Sequence, residues 1–493
     1  MALIQMEGLN FTYEGSHTPV FEDLSLRLDT DWKLGVVGRN GRGKTTLLRL
    51  LEGGEEYRGT LSTPMRCRRF PCSVQDPHQS VAQVLMETAP EAEFWQLQKE
   101  LYQLGLDDDI LERTFSTLSG GEQSRVLLAA LFVEDNCYPM LDEPTDHLDG
   151  PGRELVAKYL SRTRRGFLLV SHDRAFLDQC VDHVLALNKT GVEIVKGDFS
   201  TWYREKQARD LREQGENERL KGEIKRLQSA AERTANWSDK VEATKKGSKN
   251  SGLRPDRGFV GHKAAKMMKR SKSIEDRRQQ AAEDKSALLK DFERADPLKL
   301  APAIHHSQRL LELQNVTIDY GTGPVCRDIS FALMQGARLC LNGGNGSGKT
   351  SLLRLILEGD VPHSGSVWRA SGMKISYISQ RVDHLRGVLR DYPEQMAVDP
   401  TQFMTILRKL DFPREAFEAD VSTYSSGQKK KVLLAASLCE SAHLYVWDEP
   451  LNFVDLFSRI QLEELILEYQ PTMLFVEHDQ SFRERVATRM IEL

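Results

Sequence analysis

Two short apolar runs, KLGVVG ending at Gly38 and ARLCLNG ending at Gly343, are each followed by a glycine-rich turn and then by a segment with helical spacing, TTLLRLLE and TSLLRLILE. Runs of this length, apolar on both faces, read as buried strands, and apolar residues every three or four positions read as helices. The order strand, glycine loop, helix is therefore expected twice. Further apolar runs, CYPMLDE and LYVWDE, predict strands that end at acidic pairs. Between residues 204 and 304 the pattern changes. EKQARDLREQGENERLKGEIKRLQSAAER is highly charged, and Leu220, Ile224, Leu227 and Ala231 step by four, three and four, as a coiled-coil seam does. A second seam, Met267, Ile274, Ala281 and Leu288, recurs every seven residues and ends at Phe292. Two seams flanking a glycine-containing stretch predict an antiparallel helical hairpin whose arms, of about 35 residues at about 1.5 Å each, reach some 50 Å.

The two strand–loop–helix segments belong to an internal repeat. GRNGRGKTT recurs as GGNGSGKTS, MLDEPTDHLD as VWDEPLNFVD and LVSHDRAF as FVEHDQSF, at offsets of 305 residues for Lys44 to Lys349 and 306 for Glu143 to Glu449 and His172 to His478. A near-constant offset over separated motifs implies a duplicated α/β domain, with expected bounds 1–203 and 305–493 around the hairpin at 204–304.

Composition bounds the class. With 40% hydrophobic and 28% charged residues the chain has the make-up of an ordinary globular protein. It has no apolar run of eighteen residues, and MALIQMEGLNF lacks the features of a leader, so a cytoplasmic protein without membrane spans is expected. The seven cysteines form no CxxC pair, which argues against a zinc or disulfide framework and favours free buried thiols. The net charge is -5, yet residues Asp239 to Lys272 hold eleven Lys or Arg against three acids. The positive charge is thus concentrated at the expected hairpin tip, about 238–265. Lys245, Lys246, Lys249, Arg254, Arg257 and Lys263 would meet phosphates there, with Phe259 and His262 available to stack on bases, a combination suited to folded RNA.

The chemistry sits in the repeats. Both loops match GxxxxGK[ST], in which glycines let backbone N–H groups point at phosphate oxygens beside a helix N-terminus. In the first, Gly38, Asn40, Gly41, Gly43, Lys44, Thr45 and Thr46 are candidate nucleotide ligands. In the second they are Gly343, Asn345, Gly346, Gly348, Lys349, Thr350 and Ser351. The lysines would reach the β- and γ-phosphates, and Thr45 and Thr350 would ligate magnesium. Asp142 and Asp448 suit a role on the same ion, and Glu143 and Glu449 are placed to orient and polarise an attacking water. LSGGEQSRV from Leu118 and YSSGQKKKV from Tyr424 open helices with exposed N–H groups and hydroxyls toward an anion.

This ordered set, present twice, resembles the ATP-binding cassette family almost end to end, and implies two tandem P-loop cassettes that bind ATP and Mg2+. The resemblance casts His172 and His478 as switch histidines and Tyr13 and Tyr320 as the aromatic residues that stack on adenine. It implies a head-to-tail sandwich in which Lys44 and Glu143 share one ATP with Ser425, Ser426 and Gly427. Lys349 and Glu449 then share the other with Ser119, Gly120 and Gly121. Gln380 fits the glutamine that contacts magnesium; in the first repeat Cys72 and Gln75 are alternatives for that place. Tyr424 and Ser426 stand where Leu and Gly are usual, which predicts a slower or purely structural site, and Asp146 stands where Asn is usual, which predicts altered communication between the sites.

Tandem cassettes with a long charged helical linker resemble the ABC-F family. GRNGRGKTTLLRLL, SHDRAF, HKAAKMMKRSKSI and DEPLN look like its Lsa-type antibiotic-resistance branch. The short stretch between Cys72 and Leu118 leaves no room for the extra arm of some housekeeping members, and no C-terminal extension is expected. The resemblance implies a monomer that pairs its own cassettes and acts on the bacterial 70S ribosome, touching 23S rRNA and P-site tRNA, with neither DNA nor membrane as partner. It would occupy the exit site when ATP is bound, reach the peptidyl-transferase centre with the tip, and protect against lincosamides, streptogramin A and pleuromutilins. A housekeeping ABC-F translation factor is the alternative. The ATPase subunit of a transporter ranks behind it.

Overall fold

The computed structural model describes residues 2–243 and 298–493, apart from 16–18, 135, 147, 189–190, 322, 345 and 414. Contacts divide the chain into one compact unit, Met1–Trp202 with Arg294–Leu493, and a second, Tyr203–Glu293.

The first unit holds both repeats. In the first, the parallel strands Arg66–Phe70, Cys137–Asp142, Phe167–Val170, Lys33–Val37 and His183–Asn188 lie side by side in that order, and Gly191–Lys196 adds an antiparallel edge. Three of the central strands are buried almost throughout, as helices on both faces of a parallel sheet require. An antiparallel sheet, Phe21–Asp29, Leu3–Phe11 and Arg58–Ser62, packs its apolar alternation (Ile4, Met6, Leu26, Leu28) onto the same core as Leu47, Leu48 and Leu51 of the helix Lys44–Glu52.

The second repeat rebuilds this plan with Ile375–Ile378, Leu444–Asp448, Met473–Val476, Arg338–Asn342 and Arg489–Glu492 in one parallel sheet, and Pro324–Met334, Arg309–Asp319 and His363–Arg369 in an antiparallel one. The helices Ser426–Cys439 and Pro400–Lys409 bury Val432, Leu434, Phe403 and Leu407 in a core shared with Trp447 and Phe475.

The helix Phe199–Ala243 is 45 residues long and carries the i,i+4 pairs Lys206–Asp210 and Arg219–Glu223. It continues into the stretch where the tip was expected to begin, because no proline occurs before Pro255 to break it, and Gly215 and Gly222 are carried within it. The side chains of Leu227 and Ala231, the second seam, and the expected RNA ligands Lys245, Lys246, Lys249, Arg254, Arg257, Phe259, His262 and Lys263 lie outside the described residues, as does Asn345. Among the described residues no helix is long and apolar enough to cross a membrane, and all seven cysteines are free, five of them buried.

Candidate functional site: two phosphate-binding loops

Each glycine loop ends in a left-handed residue, Gly43 (φ 84°) and Gly348 (φ 91°), that caps the following helix. A Cβ on Gly43 would lie 2.7 Å from Val20 and Phe21 side-chain atoms, so both the backbone conformation and the space select glycine. Lys44 folds back over its loop and donates from Nζ to Gly38 O (2.8 Å), Arg39 O (3.2 Å) and Asn40 Oδ1 (3.4 Å). Lys349 does the same to Gly343 O and Gly344 O, both at 2.8 Å. Burial pushes both lysines below their ordinary pKa. A phosphate oxygen offers such an ammonium stronger, charge-assisted bonds than neutral carbonyls do.

A cleft of about 500 Å³ lies against the first loop. Asn40, Gly41, Gly43, Lys44, Thr45, Thr46, Asp142, Glu143 and His172 form one wall, while Ser425, Gly427, Gln428 and Lys431 of the other repeat form the opposite one. Ser426 does not line it. Ser425 caps the helix Ser426–Cys439 and accepts from Gln428 N, and Ser119 likewise caps Gly120–Val133 through Glu122. A Cβ on Gly427 would sit 2.6 Å from Phe453 O. Tyr13 donates or accepts a 2.8 Å hydrogen bond with Thr46 Oγ1 and sets its ring edge-on to Phe11, half exposed beside the loop. Tyr320, its counterpart, is 48% exposed.

Both glutamates adopt a left-handed backbone, Glu143 at φ 49° and Glu449 at φ 47°, each with its N–H donating to the neighbouring strand (Val170 O and Val476 O, 3.0 Å). Such a conformation in a non-glycine residue costs free energy and recurs at functional sites. Each glutamate lies 3.3 Å from a histidine Nε2, His172 and His478 respectively. Beyond that the two diverge. Burial would raise Glu449, but hydrogen bonds from His478, Gln380 and Asn452 outweigh it and hold the carboxyl down to about 2; the Asn452 Nδ2 bond to Oε2 is 2.6 Å. Glu143 accepts from His172 N at 3.1 Å. Three residues on, in place of Asn452, stands Asp146; burial first and this carboxylate second push Glu143 up to about 8. His172 is pushed well below the ordinary histidine value by burial and the Lys44 charge, so it is neutral at physiological pH.

The metal-binding expectation fits magnesium at the second site. Thr350 Oγ1 donates to Asp448 Oδ2 at 3.2 Å, and the buried Asp448 Oδ1 has no hydrogen-bond partner among the described residues. Among those residues no cluster of three or more His, Cys, Asp or Glu could hold a metal alone. At the first site Asp142 is raised by burial, with Thr45 and Arg69 opposing, and Arg69 Nη1 lies 3.9 Å from its Oδ2. Strand register bears on the position of Cys72 and Gln75. Phe70 pairs with Leu141 and Ile378 with Trp447, each just before the aspartate, so Cys72 is the counterpart of Gln380. Cys72 and Gln75 both line a separate polar cavity.

Four features escaped the sequence reading: Asn452, Arg69, Lys430 and the buried pair of Lys431 Nζ with Asp455 Oδ2 at 2.9 Å. Lys430 Nζ donates to Ser379 O (2.9 Å), Asp448 O (3.3 Å) and Gln380 O (3.4 Å), and burial lowers it to about 8. The run KKK at 429–431 was the available signal, but three lysines at the start of a helix ordinarily face water. The repeats also touch directly. Arg153 Nη1 donates to His478 O at 2.9 Å, Arg174 pairs with the buried Glu463, and Arg39 lies 4.0 Å from Asp411.

The profile of the family described as ABC transporter matches residues 21–146 and 326–452. Similar curated proteins include the Ribosome protection protein VmlR of Bacillus subtilis (29% identical, 97% of this chain and 84% of that protein) and the ATP-binding protein Uup of Caulobacter vibrioides (28%, 96% and 75%). The Energy-dependent translational throttle protein EttA of Haemophilus influenzae is 26% identical over 96% of this chain and 89% of that protein. In fold the chain is similar to archaeal ribosome recycling factor aABCE1, solved in complex with the ribosomal stalk protein aP1 (TM-score 0.63, 19% identical, covering 96% of this chain and 84% of that one). With both loops, both acidic strand ends and the profile matched twice, the chain belongs to the ATP-binding cassette family, as a tandem-cassette protein of the ABC-F type with the ATPase machinery of that family.

Proposed function

We propose that the chain is an ATP-dependent ribosome-binding protein that protects the ribosome from antibiotics acting at the peptidyl-transferase centre. It would bind the exit site, insert a basic hairpin tip toward the drug site, and leave on ATP hydrolysis. The observation that carries the ATP-dependent part is the cleft in which Lys44 and Glu143 of one cassette face Ser425 and Gly427 of the other. A ligand held between two cassettes joins them, and its hydrolysis lets them part. The ribosomal part is supported by the likeness to a ribosome protection protein over 97% of the chain. The basic stretch 239–272 supports an RNA partner.

In this reading each lysine exchanges its loop carbonyls for phosphate oxygens. Thr350, Asp448 and Gln380 would hold magnesium, which would offset the phosphate charge. Glu449, ionised and fixed by Asn452 and His478, orients water and draws off its proton. Lys349, Glu449, Ser119, Gly120 and Gly121 would form the second shared site, and Tyr13 and Tyr320 would meet the adenines. The test is sedimentation of the Glu143→Gln, Glu449→Gln double variant with 70S ribosomes. Pelleting only with ATP is expected; a supernatant protein in both conditions overturns the ribosomal reading. The likeness to a translational throttle protein favours a second reading, a housekeeping translation factor. Expression in a drug-sensitised host separates the two, since only a protection factor raises tolerance to lincosamides or pleuromutilins.

A further inference from the structure

Lys430 is 1% exposed, and its ammonium rests on three main-chain carbonyls: Ser379, Gln380 and Asp448. A buried ammonium needs such partners, and with three acceptors its donors are filled. Those carbonyls belong to two different elements. Ser379 and Gln380 follow the strand Ile375–Ile378, and Asp448 ends the strand Leu444–Asp448. The lysine itself projects from the helix Ser426–Cys439. So one side chain fastens a helix, a loop and a strand end at a single point.

That helix serves the other site. Its cap Ser425, its second residue Gly427 and its Lys431 line the cleft of Lys44 and Glu143. Gln380, by contrast, bonds Glu449, and Asp448 bonds Thr350, both beside the second loop. We infer that Lys430 is a positioning residue that couples the two ATP sites: it ties the glutamine loop and aspartate strand of the second site to the helix that completes the first cleft. A shift of the helix as the first cleft closes must drag Gln380 and the Asp448 end with it, or break bonds to a buried charge. The first cassette lacks an equivalent lysine. Ser124 occupies the matching position in the first cassette, and its short side chain lacks the reach of a lysine. This inference rests on the reading of both loops as ATP sites.

The experiment isolates turnover at the second site in two backgrounds, Glu143→Gln, where the first site holds ATP, and Lys44→Ala, where it does not. The ratio of second-site kcat between them measures the coupling. Lys430→Met keeps the stem and removes the donors. It should lower second-site kcat in the Glu143→Gln background by about tenfold, within the range of coupling mutations, leave the KM for ATP unchanged, and shrink the ratio between backgrounds. Lys430→Arg, which restores donors, should regain part of both. An unchanged ratio with Lys430→Met overturns the inference, as does a loss confined to KM. If Lys430→Met yields no folded protein, Lys430→Gln is judged on the same ratio. Should Glu143→Gln, Glu449→Gln together hydrolyse ATP at the parental rate, the site assignment itself falls.

Discussion

Replacing Asp146 with asparagine should speed the first site at neutral pH and move the inflection of its pH profile to lower pH. At the second site the equivalent Asn452 donates a 2.6 Å hydrogen bond to Glu449, whose carboxyl is held down to about 2. At the first site burial and the Asp146 carboxylate push Glu143 up to about 8. A general base acts only when ionised. With a pKa near 8, about one molecule in ten carries the charge at pH 7, so about tenfold, or about 1.4 kcal/mol, is the ceiling on the gain from fuller ionisation, reduced by the lower basicity of a carboxylate whose pKa has fallen. Because two neighbouring carboxylates titrate together, the inflection belongs to the pair, and removing one member moves it. Glu449→Gln silences the second site, and steady-state phosphate release is then followed from about pH 6 to about pH 9. Below the inflection kcat should rise with pH nearly in proportion to the ionised fraction. Asp146→Asn removes the second cause and leaves the burial, so its inflection should move to lower pH, with faster turnover at pH 7 and convergence with its parent at the alkaline end. Asn452→Asp in the Glu143→Gln background should bring the sloping profile to the second site. Superposable profiles for Asp146→Asn and its parent would refute the reasoning.

Three further outcomes are expected. Lys431→Met strands the fully buried Asp455, and should lower unfolding free energy by about 3–5 kcal/mol in urea titrations. Burial opposes ionisation of Asp455, but the Lys431 charge holds the carboxyl well below the usual range; its stabilisation is therefore complete above the unfolded value of about 4 and fades as pH falls further, so melting temperature should drop with acidification in the parent and lose that slope in Lys431→Met. Gly427→Ala places a Cβ 2.6 Å from Phe453 O and should reduce turnover at the first site, read in a single-site background, while Ser426→Gly leaves it intact or improves it. Neutralising Lys245, Lys246 and Lys249 should reduce the salt slope of ribosome binding by about 2, and unchanged slopes would remove the tip from the interface.

Much of this was legible because it is local. A glycine loop needs its glycines, lysine and threonine within nine residues, and an acidic strand end needs only the apolar run before it, so Lys44, Lys349, Glu143 and Glu449 could be named from the chain alone. What decides how well each glutamate works is tertiary. The cross-strand N–H bonds that accompany the left-handed backbone, and the histidine beside each carboxylate, depend on neighbouring strands. Cys72 and Gln75 could not be separated by spacing, since only strand register sets which residue follows the sheet at the depth of Gln380. Lys430 was opaque for another reason: its carbonyl partners lie about 50 and 18 residues away in sequence, at positions where backbone rather than side chain is the partner.

The departures from the family pattern are unevenly placed. Asp146 and Cys72 belong to the first cassette and Ser426 to the second, so along the chain they look scattered. None of the three lines the first cleft, but two adjoin residues that do: Asp146 acts on Glu143, and Ser426 lies between Ser425 and Gly427. Arg69, 3.9 Å from Asp142, adds a cation where the second site has Tyr377. The second site, by contrast, keeps Asn452 and Gln380 on Glu449, and on the proposed head-to-tail pairing the regular LSGGE signature would complete it. Independent drift would distribute such changes over both sites. On the proposed function, their concentration on one would divide the labour: the first cleft would hold ATP and keep the cassettes together, while the second would perform the hydrolysis. The helix bearing Lys430 would then carry the state of the holding site to the working one, and the coupling ratio defined for Lys430→Met measures that division directly.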